Sequence, residues 1–199
     1  MKRKRVGLFF GSFNPIHNGH LILAELILEK ASLNECWFVL SPHNPHKKKS
    51  SLLDQNHRLF LLQEVLKNHP NLKISTIEFK LPQPNYTINT LVHLKEQFPE
   101  IDFHLIMGMD NLENFLHWKS PEEIMEIANL LVYPRVGHQI PSWAENHSKI
   151  SVIETPMIEI SSTIIRERVK SGLTIHGFVP EIVAHLIDKE GFYRSSSCG

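Results

Sequence analysis

Short apolar runs alternate with amphipathic stretches along nearly the whole chain. That alternation restricts the fold more than any other feature. Strands that alternate with helices build βαβ units, and a parallel sheet must be covered on both faces. The spacing predicts strands at Val6–Phe10, Cys36–Leu40, Leu72–Ile77, Phe103–Met107, Leu130–Tyr133 and Ile150–Ile153. Helices are expected from Gly19 to about Lys30, from a cap at Asp54 to about Lys67, and from Thr87 to Gln97. Further helices should open at Ser120, at Ser161/Ser162 and at Pro180. In Ser120-Pro-Glu-Glu123, serine at the N-cap, proline at the first helical position and glutamate two positions on spell a capping box. The expected class is therefore α/β, with a mostly parallel sheet and helices on both faces. The segments 41–51 and 137–149 are the longest irregular stretches, a length at which loops are often functional.

A chain of 199 residues fits one domain and can bury a core without staples. Lysine plus arginine equals aspartate plus glutamate, at 21 each, so no global field pulls the chain towards nucleic acid or an acidic membrane. Any anion site must be local. The two cysteines, Cys36 in an apolar run and Cys198 near the end, suit a reducing cytoplasm rather than a disulfide framework. The basic start Met1–Arg5 precedes an apolar run that Gly11-Ser12 cuts short, unlike a secretory signal. No segment approaches the roughly 20 apolar residues of a membrane span. The expectation is a cytoplasmic protein with neither a membrane nor a nucleic-acid partner.

The first strand runs into Gly11-Ser-Phe-Asn-Pro-Ile-His-Asn-Gly-His20, and a helix follows. In an open α/β sheet, ligands bind beyond the carboxyl ends of the strands. A helix N-terminus there offers unpaired N–H groups and partial positive charge to a phosphate. Gly11 and Gly19 let the backbone approach a ligand. His17 enters the helix and His20 follows three residues later, so both imidazoles can face one anion. The competing view is that two histidines among 13 are ordinary surface or capping residues. Placement directly after the first strand favours phosphate. Neither G-x-x-x-x-G-K-[ST] nor G-x-G-x-x-G is present, and a third zinc ligand at a fitting spacing is not evident.

A second candidate is Ile160-Ser-Ser-Thr-Ile-Ile-Arg166. Ser161, Ser162 and Thr163 supply hydroxyls and N–H groups at a helix start, and Arg166 lies one turn on. Its planar fork suits a polyphosphate. Taken alone, the fragment also reads as a plain capped helix with a solvated arginine. Coexistence with the first motif points to a shared anion.

Together these residues resemble the nucleotidyltransferase superfamily marked by His-x-Gly-His and Ile-Ser-Ser-Thr-x-x-Arg. Within it, the chain is similar to bacterial nicotinate-nucleotide adenylyltransferases. Supporting pieces run over nearly the whole chain: Pro45-His-Lys47, Tyr86-Thr-Ile-Asn-Thr-Leu91, Gly108-Met-Asp110, Trp118, Glu154-Thr-Pro156, and Val179-Pro180 through to Gly191-Phe-Tyr193. Two departures stand out. Asn14 replaces the family's usual aspartate, and Tyr133-Pro-Arg135 replaces its Arg-Pro-Gly.

The resemblance implies a Rossmann-like, doubly wound fold: a single nucleotidyltransferase domain over 1–194 with a flexible C-terminal tail at 195–199. It implies ATP as co-substrate, Mg²⁺ bound mainly through the ATP phosphates, and nicotinate mononucleotide as acceptor, giving deamido-NAD and pyrophosphate. ATP would be held by Gly11, Ser12, Phe13, His17, Gly19, His20, Gly108, Asp110, Ser161, Ser162, Thr163 and Arg166, with His17 and His20 catalytic. Asp110 would accept ribose hydroxyls, and a helix N-cap is its alternative reading. Lys47, Thr87 and Trp118 would meet the mononucleotide. Lysine in a charge run is otherwise simply solvated, and tryptophan is otherwise core. No protein metal ligand is expected. A homo-oligomer is compatible with the sequence, which does not specify one. The rival readings are a related transferase using nicotinamide mononucleotide or phosphopantetheine, and a nucleotide-sensing module without catalysis.

Overall fold

The computed structural model describes residues 3–42 and 52–194. Six strands form one sheet: β1 (Arg5–Gly11), β2 (Glu35–Leu40), β3 (Leu72–Ser75), β4 (Asp102–Gly108), β5 (Ala128–Tyr133) and β6 (Ile150–Val152). The spatial order is β3-β2-β1-β4-β5-β6, and every pairing is parallel. This is the doubly wound Rossmann-like order, whose direction of winding reverses between β1 and β4. The crevice beyond the carboxyl ends of those two strands is where such a sheet binds ligands.

The helices are α1 (Asn18–Lys30), α2 (Gln55–Leu66), α3 (Thr87–Gln97), α4 (Met109–Glu113), α5 (Pro121–Ile127), α6 (Ser162–Lys170) and α7 (Glu181–Glu190). Two apolar layers sandwich the sheet. One joins Leu23 and Ile27 of α1, Leu61 and Leu62 of α2, Ile165 of α6 and Val183 of α7 with Phe9, Phe38 and Ile106 of the strands. The other joins Leu91 of α3, Leu112 of α4 and Ile124 of α5 with Leu8, Val39 and Leu105. Neighbouring strand residues therefore serve opposite layers, as the strand period of two requires. Their runs read as continuously apolar because both faces are buried.

Two local expectations need correction. The strand predicted to reach Ile77 stops at Ser75, and Ile77–Phe79 turns into a 3₁₀ segment. Ser120 does not cap α5 with its side chain. Its backbone is left-handed, at φ 51°, which turns the hydroxyl away, and the capping box is not formed. Proline does occupy the first position of that helix, as expected. Pro180 opens α7 as its N-cap. Asp54 likewise caps α2 as read, accepting from the Asn56 N–H at 2.8 Å. Among the described residues, no helix is long and apolar enough to cross a membrane.

Candidate active site

The β1–α1 turn folds around its two histidines. His17 is the N-cap of α1, with extended backbone at φ −146°. Its Nδ1 accepts the His20 N–H at 3.3 Å, and the Nδ1 of His20 accepts the His17 N–H at 3.3 Å. This reciprocal cap stacks the two rings with centroids 3.5 Å apart. The pair thus meets not as two residues on one helix face but as a cap and its partner one turn on. Because each Nδ1 accepts, each neutral ring carries its proton on Nε2, a donor. Burial, aided by the positive charge of Arg135, lowers the His17 pKa to about 3. His17 is therefore a neutral donor throughout the physiological range.

Gly11 and Phe13 act together. A Cβ on Gly11 would lie 2.8 Å from the Phe13 ring, so only glycine admits that ring. Phe13 has left-handed backbone, at φ 42°, and turns its side chain into the core. It packs 5.1 Å from Phe38 and edge-on to His20 at 5.0 Å. The buried Phe13 ring thus packs against His20. Gly19 is equally constrained: a Cβ there would meet Ile158 at 3.0 Å and the His17 ring at 3.1 Å.

The serine motif docks onto this turn. Ser161 caps α6 by accepting from the Ile164 N–H at 3.2 Å. Ser162 Oγ donates to the Pro15 carbonyl at 2.9 Å. Arg166 donates to the Asn14 carbonyl at 2.8 Å and to Thr163 Oγ1 at 3.2 Å. The two motifs, far apart in sequence, thus share one surface. Ser162 spends its hydroxyl proton on this docking, whereas Ser161 and Thr163 only accept and keep theirs for an anion, beside the α6 N–H groups and the Arg166 fork.

Asn14 is buried, and its Oδ1 accepts from the Leu53 N–H at 3.1 Å and the Tyr193 hydroxyl at 2.8 Å. An amide oxygen suffices for both bonds, which explains how asparagine serves here. Arg58 is completely buried. It donates to the carbonyls of Ser12 at 2.6 Å, Ser41 at 2.8 Å, Pro42 at 2.8 Å and Leu53 at 2.9 Å. It pins the segments that leave β1 and β2 to the start of α2. Its position among apolar neighbours on α2 is the one sequence signal that could have flagged it.

On the other side of the crossover, Gly108 caps α4 and Asp110 lies in that helix's first turn, so Asp110 is not the N-cap. A Cβ on Gly108 would stand 2.3 Å from Asp110 Oδ1. Arg135 Nε lies 3.5 Å from the same oxygen, an ion pair without a well-formed hydrogen bond. Asp110 and Arg135 line a cavity of about 280 Å³ together with Ile158 and Glu159.

A larger cavity, of about 410 Å³, opens between β1, β4 and the start of α3. Gly11, Ser12, Thr87 and Trp118 all line it, together with Glu78, Asn85 and Lys119, which sequence reasoning did not select. Trp118 is half-buried and tilts over Phe115 at 5.5 Å, so it belongs both to the core edge and to the cavity wall. The Lys119 ammonium lies 4.7 Å from the centre of the Tyr86 ring. Tyr86 precedes α3 without a side-chain cap, leaving the first N–H groups at Thr87 directed to the cavity end of the helix. Lys47 lies outside the described residues. Among the described residues, no three His, Cys, Asp or Glu side chains are grouped to hold a metal ion.

The cytidylyltransferase-like family profile matches residues 8–168. A protein of Christiangramia forsetii, described as a probable nicotinate-nucleotide adenylyltransferase, is 50% identical over 96% of this chain and 99% of its own length. A Bacteroides fragilis protein with the same description is 40% identical over the full chain and 99% of its own length. The solved Plasmodium falciparum nicotinic acid mononucleotide adenylyltransferase complexed with NaAD superposes with a TM-score of 0.80. That likeness covers 96% of this chain and 97% of the other at 21% identity, and so speaks for the fold. With its two nucleotide motifs brought together at the switch point of a doubly wound sheet, the chain belongs to the nicotinate-nucleotide adenylyltransferase family of cytidylyltransferase-like proteins.

Proposed function

We propose that this chain, as a single domain over residues 1–194, transfers the AMP moiety of ATP to nicotinate mononucleotide and releases deamido-NAD and pyrophosphate. The observation that carries the reading is the convergence of the stacked His17–His20 pair, the α6 N-terminus and two cavities on one crevice. Transfer between two phosphates needs in-line placement and stabilisation of charge, with no covalent intermediate on the protein. A phosphate oxygen of the mononucleotide bonds to the α-phosphorus of ATP, and the bond from that phosphorus to the bridging oxygen breaks as pyrophosphate leaves.

In this scheme His17 and His20 donate from Nε2 to the ATP phosphates, with His20 at the α-phosphate where charge builds. Ser161, Ser162, Thr163 and Arg166 form the cradle for the β- and γ-phosphates. The Asp110–Arg135 cavity takes the adenosine, with Asp110 accepting ribose hydroxyls. The larger cavity takes the mononucleotide, with Trp118 against the pyridine ring and the N–H groups at Thr87 on its carboxylate. Lys47 has a place at the mononucleotide phosphate. The phosphate region offers imidazole, hydroxyl and guanidinium donors, a set that suits polyphosphate better than a bare cation. Mg²⁺ would be held mainly through the ATP phosphates and would supply charge neutralisation there. The buried free Cys36 supports a cytoplasmic setting.

The test is pyrophosphate release from ATP with a panel of nicotinate mononucleotide, nicotinamide mononucleotide and phosphopantetheine. Release with the first alone, or far above the others, is expected. Release only with phosphopantetheine, or with none, would overturn the reading.

A further inference from the structure

Two buried acceptors in the wall of the larger cavity have no partner. Glu78 is only 3% exposed. Its Oε1 accepts from the Thr90 hydroxyl at 2.9 Å. Its Oε2 accepts nothing, and neither does Oδ1 of Asn85. The two side chains belong to one unit, because Asn85 Nδ2 donates to the Glu78 carbonyl at 2.8 Å. Both line the cavity shared with Thr87 and Trp118. Buried polar atoms are almost always satisfied, so two orphans on one wall need a physical cause. The Thr90 hydroxyl already holds one oxygen of the carboxyl, so the other is fixed in place rather than loose.

We infer that Glu78 and Asn85 are ribose-recognition residues, whose buried, unpaired oxygens accept hydrogen bonds from the ribose hydroxyls of the mononucleotide. The inference rests on the reading of this cavity as the mononucleotide site. Chemistry selects the group. The pyridine carboxylate and the phosphate of an acid mononucleotide are acceptors and anions, and both are repelled by a carboxylate. Its ribose hydroxyls are its only good donors. A donor that enters the cavity would satisfy these acceptors, which makes the pair a discriminator for a hydroxylated sugar.

The experiment pairs a change in the protein with a change in the ligand. Binding by calorimetry and steady-state KM are measured for nicotinate mononucleotide and for its 2′-deoxy and 3′-deoxy analogues. The proteins are wild type, Glu78→Gln and Asn85→Ala, and a melting curve is taken for each. Wild type should lose about ten- to hundredfold in affinity for at least one deoxy analogue, the range for a buried hydrogen bond left unmade. In Glu78→Gln, where an amide N–H₂ can face the hydroxyl, the ribose ligand should weaken until that preference falls within about threefold. The KM for ATP should stay within about threefold of wild type. A purely structural role would weaken all three ligands alike. If Glu78→Gln does not fold, Asn85→Ala carries the same comparison. A wild type indifferent to both hydroxyls, or variants that discriminate as sharply as wild type, would overturn the inference while the adenylyl transfer stands. A wild type that neither binds nor uses nicotinate mononucleotide would overturn the reading of the cavity itself.

Discussion

His17 and His20 lock each other: each Nδ1 accepts the other's backbone N–H at 3.3 Å, and their rings stack at 3.5 Å. The lock fixes both tautomers before any ligand arrives. Donors set in advance need no reorganisation as charge develops, which is the largest single source of rate in many enzymes. Replacing His20 by alanine should leave the fold intact and lower kcat by about 10²–10³-fold. Initial rates of pyrophosphate release, beside a melting curve, measure both. A variant within threefold of wild type would remove His20 from the chemistry.

The neutrality of His17 has a consequence for stability. Its pKa is about 3 in the folded protein against an ordinary 6.5. Below pH 6.5 the unfolded chain takes up a proton that the folded site refuses, so stability falls as pH drops. The contribution is complete above that pH and is lost progressively down to about 3. His104, whose pKa burial also lowers, adds to the same slope. Replacing His17 by asparagine should flatten the dependence by up to about 1.4 kcal/mol per pH unit within this window. Denaturant unfolding from pH 4 to pH 7 measures it, and an unchanged slope would show that His17 is protonated in the folded state.

Arg166 bridges the serine motif and the β1–α1 turn through its bonds to Asn14 and Thr163. Lysine keeps the charge but cannot make the fork. Arg166→Lys should raise the KM for ATP, with a smaller change in kcat if the contact is equal in ground and transition states. Unchanged kinetics in an ATP titration would return Arg166 to a structural strut.

Preference for the acid over the amide mononucleotide follows from the uncapped start of α3. A carboxylate accepts from those N–H groups, whereas an amide can turn an N–H₂ towards another donor. An unpaired contact of that kind costs about 1–3 kcal/mol, roughly ten- to hundredfold in kcat/KM. Trp118→Ala should raise the mononucleotide KM while the KM for ATP holds. Equal use of acid and amide would defeat the first expectation. A normal mononucleotide KM in the variant would assign Trp118 to the core alone.

Arg58 should matter to stability before it matters to rate. Methionine would fill much of its volume but strand four carbonyls that it satisfies. A destabilisation of about 3 kcal/mol or more is expected. For a chain of this size that lowers Tm by roughly 6–12 °C. Calorimetry of Arg58→Met checks it, and a shift under 2 °C, on the order of half a kcal/mol, would contradict the buried network.

Much of the fold was legible because it is written locally. The positions of β1, β2 and β4, the exact span Thr87–Gln97 of α3 and the Asp54 cap depend on periodicity and on neighbours a few residues away. The His-x-Gly-His turn and the Ser161–Arg166 start declared themselves by residue type at the mouth of a strand or a helix. Where a local signal misled, a backbone angle decided: the left-handed Ser120 dissolved its capping box. Only the tertiary structure could join Arg58 to Ser12, 46 residues away, Ser162 to Pro15 across 147, or Tyr193 to Asn14 across 179. The same holds for Glu78 and Asn85, which read as an ordinary acidic residue and an ordinary turn residue until the cavity wall brings them together. A hydrogen bond depends on distance in space and burial on the whole packed layer, and neither is a property of spacing along the chain.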